Sequence, residues 1–340
     1  AVLLGGNNAN GIYPLKYFKG KFDAYQRTYV IESLDKNKLN NRYLYYVLIP
    51  TLEHLRLVST GATTKFITRG IIENIEIFFP KIDSQQKIAT ILSNYDNLIE
   101  NNEKRIKILE EMAKLIYEEW FVKFKFPGHE NVKMVDSRTE FGKIPEGWEV
   151  DELSTLAKIQ RGCSYRGNEL SENQGITFVN LKTILPGGNG GFRRSGLKRY
   201  TGKFKDSQRL FAGDIVMAIT EVTQKREIIA RPARIPQLNE ENITFSMDLV
   251  KIVPGGNMNK DLLYSFLKYS SFGMKVKEFA NGVNVLHLNP SKILDYKLVI
   301  PPKEIADKFS FIVSNIFQII DNFQLKNQNL RKTRDFLLPK

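Results

Sequence analysis

An internal repeat constrains the fold of this 340-residue chain more than any other feature of its sequence. The first third matches the last third without gaps at a constant offset of 221 residues, from about residue 24 to the C-terminus. Residues 77–80 (IFFP) fall on residues 298–301 (LVIP), and Gly61 falls on Gly282. Self-similarity over this length predicts two repeats of one architecture.

Each repeat has the same order of elements: a mixed α/β region, a short strand that ends in proline, and a long helix. We therefore expect a mixed α+β fold, in which two α/β domains are separated by two long helices. In the second repeat the apolar pattern predicts strands at 176–181, 214–219, 248–253 and 296–300, and a helix near 260–279. This repeat begins near Glu146, whose counterpart would precede Ala1 by about 75 residues, so we expect the first domain to lack its front part.

These patterns divide the chain into five segments. Residues rich in chain breakers and polar side chains, from Pro127 onward, predict a linker between the repeats. The predicted segments are a first α/β domain at 1–83, a central helix at 84–125, a linker at 126–145, a second α/β domain at 146–302 and a C-terminal helix at 303–340.

Both long helices carry an apolar seam. Between residues 92 and 120 the seam advances by alternating steps of three and four and is interrupted by Asn102. The second seam, between residues 309 and 337, carries Asn327 half a heptad later. Asp83 and Gln86 have the spacing of a capping pair at the start of the first helix.

The displaced asparagines favour antiparallel pairing of the two helices. If residues whose numbers sum to 429 face each other, Asn102 meets Asn327, and neither amide is stranded against apolar side chains. Any amphipathic helix can show such a seam, but its persistence over several heptads and its duplication favour a coiled coil with a pseudo-two-fold axis. The predicted contact residues are Ile99, Asn102, Ile106, Leu109, Ile316, Ile320, Phe323 and Asn327.

The positive charge points to a polyanionic partner, with nucleic acid the leading candidate. Fifty Lys and Arg residues against 37 Asp and Glu residues give a formal net charge of +13. Residues 84–122 are acidic overall, whereas residues 193–234 hold eleven basic and four acidic residues. A solvated basic surface would also explain this excess, but Arg and Gln can read base edges while Lys and Arg neutralise phosphates. The predicted DNA-binding residues are Arg193, Arg194, Arg199, Lys203, Lys205, Gln208, Gln224, Lys225 and Arg226 in the second domain, and Thr63, Thr64 and Lys65 in the first.

Signatures of catalysis and of metal binding are missing from the sequence. There is no G-x-x-x-x-G-K-S/T loop and no H-E-x-x-H pair, and Asn289-Pro290 does not continue into the motif of amino-methyltransferases. The three histidines are far apart, and the single cysteine, Cys163, excludes a disulfide framework and fits a reducing cytoplasm. We therefore expect no active site, no metal site and no membrane span.

Two phrases and the duplicated strand–helix order resemble the specificity subunit of type I restriction-modification enzymes. The phrases are residues 144–150 (IPEGWEV) and 281–290 (NGVNVLHLNP). The resemblance implies a non-catalytic subunit, in which each α/β domain is a target-recognition domain for one half of a split DNA site and the paired helices set the separation. It also implies two methyltransferase subunits that use S-adenosylmethionine, and restriction subunits that use ATP and Mg, with no cofactor on this chain.

A helix over residues 84–122 would span about 55–60 Å at about 1.5 Å per residue, which is long enough to hold two reading domains more than one duplex turn apart. Other classes stay open at this point. The chain could be a homodimeric coiled-coil DNA-binding regulator, or the specificity portion of a single-chain restriction-methylation enzyme. A basic scaffold without sequence preference fits least, because two α/β domains exceed what phosphate binding requires.

Overall fold

The fold was analysed on a computed structural model, which describes residues 1–8, 12–61, 64–188, 190–238, 240–256 and 258–339. The chain forms two compact units. The first unit comprises Ala1–Ile106 with Asn322–Lys340, and the second comprises Lys107–Asp321. Among the described residues, no helix is both long enough and apolar enough to cross a membrane.

The first unit is built on a small antiparallel sheet in the order β3-β1-β4, with a helix packed against it. Its elements are β1 (Val2–Gly5), β2 (Asn7–Asn8), β3 (Leu15–Tyr17), β4 (Thr28–Ile31), α1 (Asn41–Leu48), α2 (Thr51–Val58), β5 (Lys65–Phe66), α3 (Arg69–Glu73) and the first part of α4 (Ile82–Tyr117). Asn40 caps α1, because its side chain accepts hydrogen bonds from the backbone N–H groups of Arg42 and Tyr43. Tyr43 and Leu44 then pack with Val2 in the core.

The second unit contains two four-stranded sheets, in the orders β10-β12-β11-β16 and β15-β13-β17-β9. Its strands are β6 (Met134–Asp136), β7 (Lys143–Pro145), β8 (Glu149–Glu152), β9 (Ala157–Arg161), β10 (Leu170–Ser171), β11 (Ile176–Val179), β12 (Lys198–Tyr200), β13 (Ile215–Ala218), β14 (Thr220–Glu221), β15 (Pro232–Arg234), β16 (Ile243–Phe245), β17 (Leu249–Pro254), β18 (Leu286–His287) and β19 (Lys297–Ile300). Its helices, besides the end of α4, are α5 (Leu153–Leu156), α6 (Lys260–Tyr269), α7 (Phe272–Val276), α8 (Ser291–Leu294) and the start of α9 (Lys303–Phe336). Val216, Phe245 and Leu249 are fully buried in the core that the two sheets share.

The repeat seen in the sequence is also a repeat of strand order. The antiparallel order β3-β1-β4 of the first unit recurs in the second as β15-β13-β17, and the pair β2–β5 recurs as β14–β18. The offset is 221 residues between β4 and β17 but 213 between β1 and β13. The ungapped match therefore begins only near residue 24, because the loops before β4 differ in length between the repeats.

The strand that we predicted before Pro80 is wrong for the first unit. In the second unit β19 pairs with β8, whereas residues 76–81 of the first unit form no strand. Among the described residues, no strand pairs with this segment. Phe78 is 73% exposed, whereas Val299, its counterpart in β19 at the offset of 221, is half-buried.

Other boundaries differ from the sequence expectation. The helix predicted near 260–279 is three short helical segments, because the backbone at Ser270 is extended. The segment predicted as a linker forms a hairpin of β6 and β7 with Ile144 buried. The predicted strands are mostly a residue or two longer than those observed, and the regular part of the first long helix ends at Tyr117, followed by one π-helical turn at Glu118–Val122.

The capping pair that we predicted for α4 is also wrong. The helix begins at Ile82, so Asp83 lies within its first turn instead of before it. Gln85, which is fully buried, makes the connections here: its amide donates to Pro80 O at 2.7 Å and to Lys38 O at 2.8 Å, and its oxygen accepts from Asn40 N. A side chain inside the helix thus ties the loop before α1 to α4.

Candidate nucleic-acid interface

Two loops of the second unit meet at one end of the β13 sheet. The glycine-rich loop before Phe192 contacts the loop between β14 and β15, since Gly187 N donates to Glu227 O at 3.0 Å. Gly191 N also donates to Pro232 O at 2.9 Å, where β15 begins. The glycines allow this close approach: a Cβ added at Gly190, whose φ is +77°, would lie 2.6 Å from Pro232 O.

A third loop joins them on the other side. Gln224 Nε2 donates to Val283 O at 2.8 Å, and Arg226 Nη2 donates to Ala280 O at 3.3 Å. The pairing of β14 with β18 fixes the base of this contact. We call these three loops the loop cluster and define it as the described residues of 185–191, 222–231 and 278–287.

Glu221, at the end of β14, organises the loop that follows it. Its side chain is buried, and its two oxygens accept hydrogen bonds from Thr223 Oγ1 at 2.9 Å, Glu227 N at 2.9 Å, Ile228 N at 3.1 Å and Ile229 N at 3.0 Å. Burial alone would raise the pKa of this carboxyl, but the backbone donors outweigh it and hold the pKa below its usual value. Glu221 thus serves as an internal anion that shapes the loop.

Sequence reasoning missed Glu221 because we counted it only as one acid among many bases. Its signal lies in its position at the end of β14, three residues beyond the fully buried strand β13. A charged residue there must find donors, and most of the local ones are backbone N–H groups of the following loop.

Several predicted DNA-binding side chains are already hydrogen-bonded within the protein. Arg193 Nε donates to Lys182 O at 2.9 Å, and Arg194 Nη2 donates to Gln237 O at 2.9 Å. Arg199 pairs with Glu240 at 2.8 Å. Gln208, Gln224 and Arg226 are likewise engaged, respectively with Lys205 N, with Val283 O and with the Glu278 carboxylate.

Three predicted lysines are exposed and make no ion pair within the described chain. They are Lys203, Lys205 and Lys225. Lys225 lies in the loop cluster, whereas Lys203 and Lys205 follow β12. The structure therefore separates the predicted set into free cations and side chains that support loops, a distinction that composition could not make.

The predicted residues of the second unit also fall into two groups. Gln224, Lys225 and Arg226 belong to the loop cluster. Arg199, Lys203, Lys205 and Gln208 lie on or after β12, and among the described residues no hydrogen bond or ion pair connects the two groups. Arg193 and Arg194 occupy the turn between the glycine-rich loop and β12.

In the first unit, Thr64 is exposed and Lys65 is half-buried at the start of β5, while Thr63 lies outside the described residues. The backbone closes tightly here: Thr60 and Phe66 exchange two hydrogen bonds, at 2.9 and 3.2 Å. Gly61 has φ +108°, and a Cβ there would lie 2.1 Å from Thr64 O, so only glycine fits without displacement. Beside this loop is a cavity of about 610 Å³ whose lining includes Arg27 and Tyr29.

The second unit contains the same closed loop, which our residue prediction overlooked. Asn281 and His287 exchange two backbone hydrogen bonds, at 2.8 and 3.0 Å, and Gly282 has φ +147°. The 221-residue offset, applied to residues 63–65, would have pointed to residues 284–286. Val283, at the tip, is 91% exposed.

The long helices make contacts within each unit. In the first unit, Asn102 Nδ2 donates to Asn327 Oδ1 at 2.8 Å, the pair that the sum of 429 predicts, and Asn327 Nδ2 donates to Ile99 O at 3.3 Å. The guanidinium carbon of Arg105 lies 5.6 Å from the centroid of the Phe323 ring.

Within the second unit, the rings of Trp120 and Phe309 lie 5.8 Å apart. Ile316 and Ile320 are buried, whereas Leu109 is half-buried; in the first unit, Ile106 is half-buried. Asp321 on α9 receives Arg234 Nη1 at 2.6 Å, which attaches β15 to the helix.

Cys163 is buried, and burial raises the pKa of its thiol. Among the described residues, no group of three or more His, Cys, Asp or Glu side chains could hold a metal ion.

Comparison with known proteins identifies the class of protein that this fold defines. A family model described as the type I restriction modification DNA specificity domain matches residues 7–111 and 145–333. The chain belongs to this family. Its resemblance to specificity subunits, drawn from the sequence, is confirmed, and its function is DNA sequence recognition; the regulator alternative is not favoured.

Individual relatives agree with this assignment. The chain is 29% identical over 314 residues to the type I restriction enzyme MjaIX specificity subunit of Methanocaldococcus jannaschii, covering 90% of this chain and 69% of the relative. It is 26% identical over 338 residues to the MjaVIII specificity subunit of the same organism, covering 98% and 75%. The crystal structure of the type I restriction-modification system S subunit from M. genitalium aligns with a TM-score of 0.59 at 16% identity, covering 99% of this chain and 81% of that one. This likeness shows the fold.

Proposed function

We propose that this chain reads a DNA site made of two separated halves, one through the loop cluster of the second unit and the other through the loops around β2 and β5 of the first. The observation that carries this proposal is the duplication: one sheet order and one closed loop, Thr60–Phe66 and Asn281–His287, occur twice in a single chain. The side chains on the two closed loops differ. Two units that share a sheet order and a closed loop but differ in the side chains on that loop suit two half-sites of different sequence.

Within each half, exposed cations and loop tips take different roles. Lys203, Lys205 and Lys225 carry unpaired charge at the surface and suit phosphate contacts, which position the protein without reading sequence. Residues at the tips of the closed loops, such as Thr64 and Asn284, are exposed and carry hydrogen-bonding side chains that can reach base edges. Gln224 and Arg226 hold the closed loop of the second unit in place through Val283 O and Ala280 O.

The helices α4 and α9 act in this proposal as an antiparallel coiled-coil spacer related by a pseudo-two-fold axis. The Asn102–Asn327 hydrogen bond and the Trp120–Phe309 ring contact support that pairing, since both pairs sum to 429. A polar pair at one layer of an otherwise apolar seam fixes register. The spacer would then set the number of base pairs between the half-sites.

Catalysis belongs to partner subunits in this proposal. Two modification subunits would methylate adenine with S-adenosylmethionine, and restriction subunits would supply ATP- and Mg-dependent cleavage, while this chain binds no cofactor of its own. The complex would act in the cytoplasm, where the DNA is. The alternative of a specificity portion within one long catalytic chain is distinguished by the reading frame that surrounds this sequence.

Selection from a pool of random duplexes tests the reading function. The chain, assembled with its modification subunit, is incubated with the pool, and the bound duplexes are sequenced. We expect two short conserved blocks separated by a fixed number of unconserved base pairs. A single palindromic block, together with a dimeric mass of the chain alone, would contradict the proposal and favour a homodimeric regulator.

A further inference from the structure

Arg231 stands apart from the other arginines of the basic segment. It lies where the loop cluster joins β15, and its backbone is fixed on both sides: Arg231 N donates to Ile228 O at 3.0 Å, and its carbonyl accepts from Ala218 N at 3.4 Å. The preceding residue, Ala230, has φ +57°, an unusual value for a residue with a side chain. The chain direction at this point is therefore tightly set, and so is the origin of the Arg231 side chain.

Two glycines make room for this side chain. A Cβ added at Gly190, in the glycine-rich loop, would lie 3.0 Å from Arg231 Cβ. A Cβ added at Gly273, in α7, would lie 3.2 Å from Arg231 Nη1. The arginine therefore runs between the glycine-rich loop and α7, and it is half-buried along its length.

Despite this burial, Arg231 has no partner for its charge. Between residues 193 and 234, every other arginine donates at least one side-chain hydrogen bond, as these six do: Arg193, Arg194, Arg199, Arg209, Arg226 and Arg234. Within the described chain, Arg231 donates none and forms no ion pair, and its Nε is buried without an acceptor. A buried guanidinium nitrogen without an acceptor is costly, so such groups are normally paired.

Nearby carboxylates do not fill this role. Burial lowers the pKa of Arg231. The negative charge of Glu221 raises this pKa without a hydrogen bond between the two side chains. Both oxygens of Glu221 are already occupied by the four donors of its own loop. The carboxylate of Glu278 already forms an ion pair with the neighbouring Arg226. Among the described residues, these carboxylates are therefore taken, and Arg231 is left open to an acceptor from outside the chain.

We infer that Arg231 binds a backbone phosphate of the DNA and sets the position of the second unit on the duplex. This inference rests on the proposed reading function and deepens it. A planar guanidinium matches a phosphate with two parallel hydrogen bonds, and a rigidly held one fixes distance and orientation better than a flexible exposed lysine. Because the side chain is held between two protein walls, it meets an anion that projects towards it, as a phosphate does, and does not extend to a base edge.

Salt-dependent binding distinguishes this role from a structural one. The affinity of the full chain for a random-sequence duplex is measured between about 50 and 200 mM salt for the wild type, Arg231→Met, Arg231→Gln and Arg231→Lys. Removing one phosphate contact should reduce the slope of log K against log salt by about 0.9 for the Met and Gln variants. The Lys variant should keep the slope, since it retains the charge. It should lose affinity, because an ammonium cannot form the two parallel hydrogen bonds of a guanidinium. Arg138→Met, in the turn between β6 and β7, removes the same charge elsewhere and should leave the slope unchanged.

The outcomes separate the two levels of the proposal. If the Met and Gln variants melt like the wild type and keep its slope, Arg231 is not a phosphate contact, even where the wild type prefers its selected site. If the slope is unchanged but assembly with the modification subunit fails, the acceptor is a protein carboxylate, and the phosphate assignment is wrong. If the wild type prefers no sequence in the selection experiment, the reading function itself fails, whatever the slopes are.

Discussion

Replacing Glu221 with glutamine should destabilise the loop that follows β14 and lower the unfolding free energy of the second unit. The amide keeps the size of the carboxylate but replaces one acceptor oxygen with an NH₂ group. It should turn that group towards Thr223, whose hydroxyl can accept, and this leaves Glu227 N without an acceptor. Leaving this partly buried N–H without an acceptor costs about 1–3 kcal/mol. The N–H groups of Ile228 and Ile229 would then donate to a neutral oxygen instead of a charged one. Each of these two hydrogen bonds should weaken by about 1 kcal/mol.

The total is about 3–5 kcal/mol of unfolding free energy for the second unit, which corresponds to a fall in its Tm of about 6–20 °C. Thermal and denaturant unfolding of the full chain measure this effect. Glu241→Gln makes the same chemical change at an exposed position and should be nearly neutral.

The pH dependence of the unfolding free energy is a second test of the Glu221 contacts. Because the folded pKa of Glu221 is depressed, its stabilisation is fully present above the unfolded value of about 4.3 and is lost as pH falls through the folded pKa. The stability gap between the wild type and Glu221→Gln should therefore narrow in acid. Equal stability of the two glutamine variants at neutral pH would refute this account of the loop.

Three further outcomes are expected. Asn102→Leu combined with Asn327→Leu should raise the stability of the helix pair but loosen its register, so that disulfide crosslinking between cysteines placed across the seam spreads over several partners; one unchanged partner would count against the register role. Four residues inserted after Glu110, matched by four after Gln318, should add about 6 Å of helix and lengthen the gap between half-sites by about two base pairs without altering either half; an unaltered gap would contradict the spacer role. Lys203→Ala combined with Lys225→Ala should reduce the salt slope of DNA binding by about 1.8 while preserving the selected sequence, and a changed sequence would show that these lysines read bases.

Much of the architecture could be predicted because it is repeated and local. The offset of 221 residues identified two α/β repeats, and the positions of two asparagines within helical seams predicted the Asn102–Asn327 contact. Periodicity is a property of neighbouring residues, so the sequence displays it directly. The strand expected before Pro80 failed for the opposite reason, since a strand requires a partner strand from elsewhere in the chain, which the local pattern does not reveal.

The interface was less predictable, because its decisive contacts join residues distant in sequence. Arg199 pairs with Glu240, 41 residues away, and Arg226 with Glu278, 52 residues away. Counting basic residues selected a segment as a candidate but could not tell these neutralised arginines from the unpaired Lys225 or from Arg231. Only the three-dimensional pairing of charges makes that distinction.

The most direct test of the central claim is base-resolved methylation sequencing of DNA from cells that carry the gene for this chain with its neighbouring methyltransferase gene, compared with cells in which this chain is deleted. The proposal predicts methyladenine in both halves of one split motif, and its complete loss on deletion. A methylation pattern that is identical in the two strains, while the methyltransferase is demonstrably active, would contradict the claim that this chain selects the methylated sequence.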